Sequence, residues 1–172
     1  MVEEIVTPER LEAGERYLGS LRALGFEPDG ALWSMRPSDP SSLELSIFSS
    51  LVEKVGPLTI YRALFDAYDQ GKTPADFDPW IVSLYGPHQT FFDAVAGFDA
   101  ASVDPDKGAA FVMCGGSDHE EGGNVVRTTD FEIVRIVHRE WVYKVLEQPR
   151  ASPAASSLRR WRRFEENLAR AA

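Results

Sequence analysis

The chain has 172 residues, 44% of them hydrophobic and 11% aromatic, with a formal net charge of −9. That length suits a single folded core, and the composition excludes an intrinsically disordered chain. One cysteine rules out an intramolecular disulfide and any Cys-x-x-C zinc or redox motif, while the acidic start MVEEIVTPERLEAGERY and the lack of a long apolar run predict a soluble, cytoplasmic protein.

Thr7-Pro8-Glu9 reads as a helix start, with Thr as N-cap, Pro in the first turn and an acid behind it. Leu11, Leu18 and Leu21 share one face and Gly25 follows as a C-terminal cap, so the spacing predicts an amphipathic helix over 8–24. Glu27-Pro28-Asp29-Gly30 is a turn signal. Two runs of strand composition follow, 31–36 and 43–52, and the connection PSDPSS predicts that they pair antiparallel. Leu43, Leu45 and Ile47 alternate with Glu44, Ser46 and Phe48, which makes one face partly polar.

The middle of the chain repeats a grammar. VGPLTIYRALFDAYDQG reads as a strand end, a Gly56-Pro57 entry and a helix with Leu58, Tyr61, Leu64, Phe65 and Tyr68 on one side, closed by Gly71. DPWIVSLYGPHQTFFDAVAGF gives strand WIVSLY, a Gly86-Pro87 entry and a helix with Phe91, Phe92 and Val95. An offset of 30 residues superposes Gly56 on Gly86 and Pro57 on Pro87, a weak internal β-α repeat. AAFVMC (109–114) adds a third apolar strand. The β-α-β-α-β order over about 43–114 predicts parallel strands with right-handed crossovers. The runs VVRTT, FEIVRIV and EWVYKVL, within about 125–146, leave no room for helices and predict antiparallel edge strands. The expected fold is α/β: a mixed sheet with an N-terminal helix and a separate C-terminal helix.

Residues 147–157 are rich in Pro, Ala and Ser and read as a linker, which makes 1–146 one domain and 158–172 an Arg-rich amphipathic helix. From Arg150 onward six Arg face two Glu, a local charge of +4, leaving 12 basic and 25 acidic residues, or −13, in 1–149. So acidic a body disfavours nucleic acid as a partner, except for weak contact through the arginines of the C-terminal helix.

Ligands of open α/β sheets bind beyond the carboxyl ends of parallel strands. Applied here, that rule would gather the loops after residues 52, 85 and 114 on one edge, where His88 and His119 would face each other and Asp118 would orient a ring. His88 then sits at the second helical position as a candidate general base. Cys114 has acidic neighbours that raise a thiol pKa, and reads as a buried, inert residue. Asp118, His119, Glu120 and Glu121 match no metal-binding spacing and read as a solvated turn, and neither G-x-x-x-x-G-K-[ST] nor G-x-G-x-x-G occurs. No metal and no cofactor is expected. His138 reads as a cross-strand contact, and Glu132, Arg135, Arg139 and Glu140 as residues able to line a polar groove. Three of the four tryptophans, Trp33, Trp80 and Trp141, read as core. Trp161 lies among arginines and reads as a partner anchor.

Two functions are compatible with these features. The first is a small acidic binding or regulatory module acting through protein–protein contact or self-association, with Arg159, Arg160, Trp161, Arg162, Arg163, Phe164 and Leu168 as the docking helix. The alternative is a small hydrolase or transferase using His88 and His119 with Asp118.

Overall fold

The computed structural model describes residues 6–96, 98–121, 124–146 and 154–170, with backbone alone for 112–121, 124–134 and 154–155. Helix α1 spans Pro8–Leu24, the predicted range: Thr7 Oγ1 accepts the Arg10 amide at 3.3 Å. Gly25, at φ 107°, ends the helix in a left-handed conformation that a side chain would strain.

Strands β1 (Gly30–Arg36) and β2 (Asp39–Phe48) pair antiparallel, with Trp33 opposite Leu45 and Ser34 opposite Glu44. The strand predicted over 43–52 starts earlier and stops at Phe48. Ser49 Oγ accepts the Leu51 amide and Asp29 Oδ2 the Ser50 amide, and this turn opens a short helix, α2 (Leu51–Val55). Leu51 and Val52 are therefore helical, and the 30-residue repeat does not align strand with strand. Helix α3 (Pro57–Asp69) enters through Gly56-Pro57 as expected. Its buried face carries Ile60, Ala63, Leu64 and Ala67, so Leu58 and Phe65 lie toward the opposite side.

A 3-10 turn, Pro79–Ile81, leads into β3 (Val82–Tyr85), which runs parallel to β2 with Leu45 beside Val82 and Phe48 beside Tyr85. Helix α4 covers only Thr90–Val95. Gln89 Oε1 accepts the Gly86 amide at 2.6 Å, which holds 86–89 as a turn ahead of the helix. His88 thus precedes α4 and does not occupy its second position.

Strand β4 (Ala109–Glu121) is not the third parallel strand that the sequence predicts. It pairs antiparallel with β5 (Asn124–Val137), from Ala109 opposite Val137 to Glu121 opposite Asn124. The physical reason lies in Gly115-Gly116, which stay in the strand and pair with Asp130 and Thr129 instead of turning. The sheet order is β3-β2-β1-β5-β4, with β6 (Val142–Lys144) also against β1, so parallel pairing is confined to β2 and β3 within a mixed α/β sheet.

Each sheet face has its own core. On one, Trp33, Leu45, Ile47, Val82 and Leu84 meet α1, α3 and the C-terminal helix α5 (Ala154–Ala169). On the other, Leu32, Phe48, Phe111 and Val137 meet Phe91, Phe92 and Val95 of α4. The predicted boundary at 158 is four residues late, since Ala154–Ser157 are already helical; 147–153 lie outside the described residues. Nor is α5 a separate unit. Trp161, Phe164 and Leu168 are buried in the first core, and Phe26 packs against Trp161 and Phe164 with ring centroids 6.4 and 5.6 Å apart. Asn167 Nδ2 donates to the Leu24 carbonyl, and Lys72 Nζ donates to the carbonyls of Asn167 and Leu168, capping the last turn of α5.

Candidate functional site

The topology does not bring His88, His119 and Asp118 together. His88 follows the carboxyl end of β3, at the end of the sheet shared by Phe48 and Gly30. Its imidazole is 90% exposed, with Nε2 3.2 Å from Glu53 Oε1. Asp118 and His119 lie on β4 opposite Arg127 and Val126, ten residues along β5 from the Ile136–Met35 pair, in the direction of the other end of the sheet. At about 3.3 Å per residue this is on the order of 30 Å beyond that pair. With β3 and β4 at opposite edges of the sheet, the expected His88–His119 site is not assembled. The shared-edge rule failed because it needed β4 to be parallel.

The docking-helix residues divide by face. Trp161, Phe164 and Leu168 point into the domain and cannot anchor a partner while α5 is docked. Arg159, Arg160, Arg162 and Arg163 lie on the outer side. The apolar stripe was legible in the sequence, but the surface waiting for it, Phe26 and its neighbours, was not.

Among the described residues, the aromatic side chain left facing solvent is Trp80, at 80% exposure. Asp78 Oδ1 accepts the Trp80 amide at 2.9 Å, and this capped Asp-Pro turn projects the indole outward before the strand begins. Phe65 of α3 backs it, with ring centroids 4.8 Å apart at 58°. Leu58, two helical turns earlier, is 61% exposed. Together with Tyr61, Arg62 and Ser83 these residues line an open groove of about 600 Å3 between α3 and β3. The signal that the sequence reading missed was Asp78-Pro79, which starts a turn and removes Trp80 from the strand.

Tyr61 determines what the groove can do. Strand β3 is an edge strand, and such edges invite strand addition. Here the Tyr61 hydroxyl accepts from the Leu84 amide at 3.1 Å and donates to the Val82 carbonyl at 3.3 Å, occupying both groups. Burial pushes this phenol above its ordinary pKa, assisted by the negative charge of Glu44, so the proton needed for the donated bond is held. Among the described residues the Trp80 indole N–H, the Arg62 guanidinium and the Asp66 carboxylate along the groove have no hydrogen-bond or ion-pair partner.

Behind the groove, on the second face of the sheet, lies a carboxylate network. Glu44 Oε1 accepts from the Tyr85 hydroxyl at 2.5 Å and from Arg135 Nε at 3.2 Å, while Oε2 accepts from Ser83 Oγ at 2.8 Å. Arg135 is 8% exposed and also donates to Tyr85 at 3.1 Å. Burial is the largest influence on Arg135 and opposes its charge, but Glu44 and Tyr85 together, through charge and hydrogen bonding, outweigh it and hold the guanidinium above its usual pKa. Burial, with Glu44 beside it, pushes the Tyr85 phenol up to about 12. Both carboxylate oxygens of Glu44 are thus engaged in tying β5 to β2 and β3, and the arrangement reads as a structural clamp. Ser83 belongs to both the clamp and the groove wall.

His138 is buried, with its ring 4.4 Å from that of Trp141 and Nε2 without a partner among the described residues. It closes the corner between β5 and β6 and is not the cross-strand contact that the sequence suggested. Among the described residues no group of three or more His, Cys, Asp or Glu side chains is placed to hold a metal ion, and no helix is long and apolar enough to cross a membrane. No protein-family model matches the chain, and no curated protein or solved structure is similar to it.

Proposed function

We propose that this protein is a cytoplasmic binding module that acts by protein–protein contact, and that its contact surface is the α3–β3 groove. The observation that carries this reading is Trp80, 80% exposed above Phe65 and beside an exposed Leu58. Exposed aromatic anchors grouped around a groove are the feature on which protein interfaces concentrate their binding energy. The partner is a basic segment with apolar anchors, because the chain carries −9 overall and the uncommitted Asp66 lies in the groove wall. Self-association through this face is disfavoured by the same charge, which each copy would bring.

The test is calorimetric titration with synthetic peptides of equal length: one of arginine and proline, one of lysine and leucine that forms a helix, and an acidic glutamate–proline control. At least one basic peptide binds, more weakly at high salt, and Trp80→Ala reduces that affinity about tenfold or more. Binding by neither basic peptide, or binding unchanged by Trp80→Ala, removes the groove as the contact surface.

A further inference from the structure

Resting on that reading, we infer that the groove recognises a proline-rich segment in the polyproline II conformation, carrying at least one arginine or lysine. Three features of the groove lead there. The first is the closed strand edge. Because the Tyr61 hydroxyl occupies the Leu84 amide and the Val82 carbonyl, a partner cannot extend the sheet by pairing with β3 at these two groups. The ligand backbone must therefore lie on side chains.

The second feature is the kind of polar group left without a partner. The Trp80 indole N–H and the Arg62 guanidinium are donors, and among the described residues neither meets an acceptor. A helical ligand has consumed its interior carbonyls in its own hydrogen bonds, whereas a polyproline II segment has no internal hydrogen bonds and leaves its carbonyls free. Donors set among aromatic rings match the second backbone. The indole N–H sits on a ring tilted against Phe65, so one side chain offers both a flat apolar face for a pyrrolidine ring and a donor for the adjoining carbonyl.

The third feature is charge. Asp66 stands one helical turn from Arg62 on the same wall and forms no ion pair with it, so the carboxylate is available to a cation on the ligand. The stiffness of a proline-rich segment also lowers the ordering cost on a groove as open as this one.

The same three peptides separate this inference from the reading beneath it when Trp80→Phe is added to the variants. The arginine–proline peptide binds about tenfold tighter than either other peptide. Trp80→Ala weakens it about tenfold or more, and Trp80→Phe, which keeps a ring and loses the N–H, weakens it by an intermediate factor of about three. If the lysine–leucine helix binds as tightly or more tightly and is still sensitive to Trp80→Ala, the groove remains the contact surface and the proline assignment is wrong. Equal binding of the acidic proline peptide overturns the role of Asp66 and with it the predicted ligand. If nothing binds, both readings fall.

Discussion

Two aromatic surfaces of similar make-up have opposite fates in this molecule. In the seam under α5, Trp161, Phe164 and Leu168 meet Phe26 and are covered by the chain itself. In the groove between α3 and β3, Leu58, Phe65 and Trp80 form a comparable group that nothing among the described residues covers. The difference does not come from the residue types. It comes from what each element brings to the other side: α5 arrives with a three-residue apolar stripe and a cap from Lys72, while the groove is bounded by a 3-10 turn and an edge strand already closed by Tyr61. One surface holds the fold together, and the other is free to be used.

That contrast can be broken most forcefully at Phe164. Phe164→Ala should cost about 3–5 kcal/mol, as expected for a fully buried aromatic ring, and should appear as a lower urea midpoint. Trp80→Ala should change stability by less than about 1 kcal/mol in the same experiment. Equal losses at the two positions would mean that the groove is part of the core.

Next in size is the clamp. Glu44→Gln removes the charge facing a buried Arg135 and should destabilise by about 3 kcal/mol, with much of the loss recovered in Glu44→Gln/Arg135→Met. No recovery in the double variant would show that the pair is not coupled. Gly14→Ala sharpens the account of the first core. A Cβ there would collide with the Tyr143 hydroxyl, which accepts from Trp33 Nε1 and donates to the Leu11 carbonyl. We expect a loss of about 1–3 kcal/mol, reduced in a Tyr143→Phe background, where the nearest crowding atom is gone while the residue 143 ring and Trp33 Nε1 stay close.

The smallest effect is at His138, where burial holds the imidazole below its ordinary pKa against the pull of Glu140. The unfolded chain therefore takes up a proton first as pH falls. Stability contributed at neutral pH is lost as pH drops through the unfolded value of about 6.5, and the loss stops below the folded pKa. The slope of stability against pH between about 7.5 and 5.5 should flatten in His138→Gln. An unchanged slope would assign it to other groups.

Much of the local structure was legible in the sequence. Thr7, Pro8 and Gly25 mark α1 to the residue because caps act locally. Gly56-Pro57 marks α3 for the same reason. The direction of β4 was not legible, since it depends on where the chain re-enters the sheet, and a glycine pair can either turn or remain in a strand. The clamp joins residues 44, 83, 85 and 135, which share a face only after four strands have paired. Glu44 was visible as one polar member of an alternating run, with nothing to indicate what covered it. The two tryptophans misled in opposite directions because flanking charge was read as exposure and flanking apolar residues as burial. Position within the element decides both cases: Trp161 lies on the apolar stripe of its helix, and Trp80 lies in the turn before its strand.

The central claim, that the α3–β3 groove is the contact surface, is tested most directly by mapping amide chemical-shift changes on the isotopically labelled full chain as the arginine–proline peptide is added. The account predicts perturbations concentrated in residues 58–66 and 80–83 that vanish in Trp80→Ala. Perturbations centred on the outer face of α5 or on the β4–β5 hairpin, or persisting in Trp80→Ala, would contradict it.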